Sequence, residues 1–75
     1  MIEIKARVRD GAGGWETAIT VRCRTWDAAR TSGLRRAARR LGLHGPILGR
    51  ERVGASQFAV NVDGRIMMVV ESGDE

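Results

Sequence analysis

Only one stretch of the chain, Thr25 to Leu43 (TWDAARTSGLRRAARRLGL), repeats apolar residues at helical spacing. Trp26, Ala29, Gly33, Leu34, Ala37 and Leu41 recur three and four residues apart and form one stripe. One striped helix cannot bury its stripe alone, so the rest of the chain must supply a sheet face to receive it. At 75 residues there is room for one such domain and little more.

The ends of the helix are marked. Thr25 or Asp27 can accept a bond from a free N–H of the first turn, and Asp27 suits the positive end of the dipole. Gly42 can close the last turn in the left-handed conformation, with Leu43 folding back as its apolar partner. Pro46 prevents continuation. Thr31-Ser32-Gly33 is weak helix sequence, because Gly costs about 1 kcal/mol relative to Ala. A glycine on the stripe implies that the helix crosses the sheet closely at Gly33.

The flanking segments read as strands. Residues 2–9 alternate, with Ile2, Ile4, Ala6 and Val8 on one face and Glu3, Lys5, Arg7 and Arg9 on the other. After the loop from Asp10 to Gly14, residues 15–24 alternate again, with Trp15, Thr17, Ile19, Val21 and Cys23 inward. Pairing Ile2 with Cys23, Ile4 with Val21 and Ala6 with Ile19 keeps apolar opposite apolar. The same register sets Glu3 opposite Arg22, Val8 opposite Thr17 and Arg9 opposite Glu16. Beyond the helix, His44-Gly45-Pro46 is a turn and Ile47 to Val53 a short strand. Gly54-Ala55-Ser56 is a second turn, and Gln57–Val62 and Arg65–Glu71 flank Asp63-Gly64 as a hairpin. Two registers compete there. A two-residue turn sets Val62 opposite Arg65 and Phe58 opposite Val69. A three-residue loop groups Phe58, Val60, Ile66, Met68 and Val70 on one face and is preferred for that reason. Either way a last strand apolar on both faces must be central and covered, or must meet a partner.

The element order is β-β-α-β-β-β over residues 1–71, with a polar tail at 72–75. The predicted fold is a small two-layer α+β domain, one helix packed on a mostly antiparallel sheet. The order of elements resembles the plan of ubiquitin-like β-grasp domains, in which the last strand inserts beside the first. The chain lacks the terminal Gly-Gly of the conjugated members, so the resemblance does not extend to a modifier role.

Net charge is +4 and uneven. From Arg22 to Arg52 nine arginines face two acids, giving +7, while the remainder carries −3. Such asymmetry favours an anionic partner, either nucleic acid or an acidic protein surface. Twelve of the thirteen basic residues are arginine, a bias that GC-rich coding also produces. One cysteine, Cys23, excludes an internal disulfide. No apolar run approaches the roughly 18 residues that span a membrane, and the N-terminus has no signal-peptide core, so a cytoplasmic protein is expected.

Catalysis finds no footing in the sequence. His44 is tied to no nucleophile or acid by any motif, and Cys23 falls on an inward face as a structural thiol. Gly11-Ala-Gly-Gly14 lacks the Lys-Ser/Thr of a phosphate-binding loop and joins two strands. No cofactor or metal is implied, and the chain is expected not to be an enzyme. Two binding surfaces remain. Arg35, Arg36, Arg39 and Arg40 are expected along one helix flank, with Arg30 a turn earlier and Arg50 and Arg52 extending the patch, and guanidinium suits phosphate. A solvated face that keeps the chain soluble is the plain alternative. The second surface is the last hairpin, where Met67, Met68 and Val69 suggest a protein partner or a homodimer.

Overall fold

The computed structural model describes residues 1–9, 14–15 and 18–73. They form strands β1 (Ile2–Val8) and β2 (Ile19–Cys23), helices α1 (Trp26–Arg30) and α2 (Ser32–Arg40), and strands β3 (Ile47–Arg52), β4 (Gln57–Val62) and β5 (Arg65–Gly73). The five strands make one sheet in the order β2-β1-β5-β4-β3, and every pairing is antiparallel. The last of these strands lies beside the first. β2 and β3 are the two edges, so the helical connection carries the chain across one face of the sheet from edge to edge.

The inward positions of β1 drive this arrangement. Ile2, Ile4, Ala6 and Val8 are fully buried, and Val21, Cys23, Phe58, Val60, Val62, Met67 and Val69 join them from neighbouring strands. Ala29, Leu34, Ala37, Ala38 and Leu43 close the core from the helix side. The β1–β2 register is the expected one from Ile2↔Cys23 to Ala6↔Ile19. Nearer the loop it is displaced by one residue, since Arg9 bridges to Trp15. The slip turns Trp15 from the predicted inward face to the outer face, where it is 38 % exposed and the Arg7 guanidinium lies 4.8 Å from its ring centre. Loop residues 10–13 and the predicted partners Glu16 and Thr17 lie outside the described residues.

Two helices stand where the spacing predicts one. Thr25 caps α1 by accepting from the Ala28 N–H at 3.1 Å. The break falls at Thr31 (φ −124°, ψ −91°), within the weak Thr-Ser-Gly run. The Thr31 hydroxyl donates to the Asp27 carbonyl at 2.7 Å and Ser32 reaches the Ala28 carbonyl at 3.5 Å, so side chains compete for the carbonyls that the next turn needs. The restart brings Gly33 down onto the sheet. A Cβ there would sit 2.7 Å from the Cys23 sulfur. α2 closes as predicted: Gly42 takes φ 79°, the Leu43 N–H donates to the Ala38 carbonyl at 2.8 Å, and Leu43 is buried.

The β4–β5 hairpin adopts the two-residue turn, with Val62↔Arg65 and Phe58↔Val69, in place of the preferred three-residue loop. Asp63 and Gly64 both take positive φ, 54° and 75°, the mirror-image turn whose twist matches the flanking strands. Grouping all apolar residues on one face misleads here because β5 is a central strand, and its two faces have different jobs. Met67 and Val69 enter the core, while Ile66, Met68 and Val70 lie on the outer face. β5 also continues through Ser72 and Gly73, which pair with Glu3 and Ile2.

Candidate functional site

The apolar stripe of α2 faces the sheet, so the residues on either side of it project in opposite directions. Arg36 and Arg40 lean over edge strand β2. Arg36 donates to the Arg22 carbonyl at 3.1 Å and approaches the Cys23 sulfur at 3.5 Å, and Arg40 donates to the Thr20 carbonyl at 2.9 Å. These arginines cover backbone acceptors on a sheet edge, each bond contributing about 1 kcal/mol. The expected row of four guanidiniums on one flank is therefore two pairs on opposite flanks.

Arg35 and Arg39 lean the other way, over a groove of about 730 Å³ between α2, residues 43–46 and β3. The groove exists because α1 and α2 pack mainly over β1 and β2, leaving β3 beyond their reach. Neither guanidinium has a hydrogen-bond or ion-pair partner among the described residues. Buried Leu34, Ala38, Leu43 and Val60 line its inner side, and His44 and Pro46 also line it.

Arg30 and Arg50 complete the rim from α1 and β3. Both reach the Glu71 carboxylate, Arg30 at 3.2 Å and Arg50 at 3.5 Å. Each also lies over an aromatic ring, Arg30 at 5.3 Å from the Trp26 centroid and Arg50 at 4.0 Å from that of Phe58. Two guanidiniums thus share one carboxylate, and Arg35 and Arg39 leave the groove a positive excess. Arg52 does not extend this patch. It donates to the Ala55 carbonyl at 2.9 Å, inside its own turn.

Glu71 is the key residue that sequence reading passes over. It is the one buried charged side chain among the described residues, at 8 % exposure. Its signal is parity: with the two-residue turn it shares a face with Met67 and Val69 and must point toward the helices. Ala38 was also missing from the predicted stripe, although it is buried.

Met67 and Val69, two of the three expected interface residues, are core. Met68 remains half-buried on the outer face between Ile66 (42 % exposed) and Val70 (38 %). Among the described residues no helix is long and apolar enough to cross a membrane. Cys23 is buried beneath Gly33, and His44 is at the groove end on the far side of α2. The chemistry on offer in the groove is recognition of anions by guanidinium.

No family model matches the chain, and searches of curated proteins and of solved structures find no similar protein.

Proposed function

We propose that the chain is a small non-enzymatic module that binds nucleic acid through its phosphates, using Arg35 and Arg39 with Arg30 and Arg50. The observation that supports this most is the pair Arg35 and Arg39, unpartnered among the described residues and projecting over the same groove as two arginines already held in place. Guanidinium groups fixed by other contacts lose little freedom on meeting a phosphate, and partial desolvation in a concavity strengthens the pairing. Such contacts position a nucleic acid without reading its sequence.

The test is fluorescence anisotropy of labelled oligonucleotides across salt concentrations. Binding that weakens with salt and is lost in Arg35→Ala/Arg39→Ala, while Arg36→Ala/Arg40→Ala retains it, supports the reading. Absence of binding at the lowest salt, or equal loss in both variants, rejects it.

A second reading rests on the outer face. Ile66, Met68 and Val70 make an apolar row along β5 beside Lys5, Arg7 and Arg9, with Trp15 beyond Arg7. That row supports a protein partner with an apolar centre and an acidic rim, or self-association. A strict monomer in sedimentation removes the self-association version.

A further inference from the structure

Building on the proposed phosphate contacts, we infer that the groove takes a single-stranded segment of nucleic acid, with an unpaired base on its floor and the flanking phosphates on its rim. Two features of the groove point to this ligand and away from a duplex.

The first is its two-tier chemistry. The groove is cationic through Arg30, Arg35, Arg39 and Arg50, while apolar surface is offered between them by Pro46, Ile47 and Leu48, with buried Leu34 and Val60 behind. A duplex turns phosphates and sugars outward and keeps its bases stacked inside. It can satisfy the rim, but it leaves the floor unused. A single strand offers base faces and phosphates together, a few ångströms apart, which is the combination that both tiers require.

The second is size. About 730 Å³ falls in the range of sites that enclose a small molecule, and the protein is only 37 × 23 × 22 Å overall. A concavity of that volume holds one or two nucleotides. The Arg30 and Arg50 guanidiniums are held by Glu71 and by the Trp26 and Phe58 rings, so one wall is preset. Arg35 and Arg39 on α2 form the adaptable wall. Guanidinium planes also stack on bases, which lets the rim contribute to base contact without an aromatic platform.

The experiment compares labelled dT12, rU12 and a mixed-sequence duplex by anisotropy at matched salt, together with methyl NMR of the unlabelled complexes. The single strands are expected to bind about tenfold more tightly than the duplex, the size of one base-stacking contact. The Ala38 and Val60 methyl resonances shift upfield under the ring current of the bound base. The dT12 and rU12 arms report whether a 2′-hydroxyl matters. Ala38→Leu, with folding verified by its melting curve, fills the floor. It should abolish the single-strand preference while leaving duplex affinity unchanged. Equal affinity for single strand and duplex with unmoved floor methyls overturns this inference and leaves phosphate binding standing. No binding of any oligonucleotide overturns both.

Discussion

Arg30 on α1 donates to Glu71 on β5 at 3.2 Å across 41 residues of chain, and Arg50 reaches the same carboxylate at 3.5 Å from β3. One buried acid therefore ties the helical layer to an edge strand at the place where the groove opens. The carboxylate is well covered and the guanidiniums are about half exposed, so the cluster is worth less than a fully buried ion pair.

Removing the acid should separate stability from binding. Glu71→Gln is expected to cost about 1–2 kcal/mol in a urea melt, because two guanidiniums lose their counter-charge and one acceptor oxygen is replaced by an NH2 donor. The same change raises the positive charge of the groove, so affinity for a polyanion should increase. A variant that is less stable and binds less tightly would show that Glu71 shapes the groove and does not merely neutralise it.

The contact at Gly33 predicts a conflict between helix propensity and packing. Gly33→Ala gains about 1 kcal/mol of propensity, but its Cβ would meet the Cys23 sulfur at 2.7 Å and the Ala28 carbonyl at 3.0 Å. Overpacking of this kind costs about 1–3 kcal/mol, so a net loss is expected. Adding Cys23→Ala should recover part of the loss, and the double-mutant cycle by chemical denaturation measures the coupling. Full additivity of the two changes would mean that the sulfur is not the obstacle.

The two arginine pairs of α2 should behave as different residues. Arg36→Ala and Arg40→Ala remove donors from the Arg22 and Thr20 carbonyls, so each should lower stability by about 0.5–1.5 kcal/mol. Arg35→Ala and Arg39→Ala should leave stability within about 0.5 kcal/mol, since neither guanidinium has a partner among the described residues. Thermal melts of the four single variants decide this. Indistinguishable melting temperatures would undo the division.

The Asp63-Gly64 turn offers a check on register. Gly64→Ala places a side chain at φ 75° and should cost about 1–2 kcal/mol. Asp63→Gly should be tolerated much better, because the residue already adopts positive φ. A three-residue loop would leave Asp63 out of the left-handed region, and Asp63→Gly would then cost about 0.5–1 kcal/mol through added unfolded-state freedom.

Local pattern in the sequence carries most of the fold. Strict alternation in residues 2–9 defines β1 and fixes its pairing with β2, because a slip of one would oppose core and solvent faces. Gly42 and Leu43 mark the end of α2 unaided. What is not legible depends on neighbours far along the chain. Which face of β5 enters the core is set by its register with β1 on one side and β4 on the other, and that placement decides the fate of Met67 and Val69. The arginines show the same limit. From the sequence, Arg35, Arg36, Arg39 and Arg40 are grouped on one flank, and the sheet edge under Arg36 and the groove under Arg35, which divide them, exist only after β3 and β2 have taken opposite edges.

Because the final strand is a central strand, the order of synthesis runs against the order of assembly. Of the five strands β1 is synthesised first, yet one of its two neighbours is the last of the five. Until β5 arrives, the Ile2–Val8 strand has an open side, and the β3–β4 pair has nothing to join it to the helical half. The sheet therefore cannot close progressively from the N-terminus. It must wait for residues 65–73, and any chain that stops before them loses the seam between the two halves of the molecule together with the acid that anchors Arg30 and Arg50.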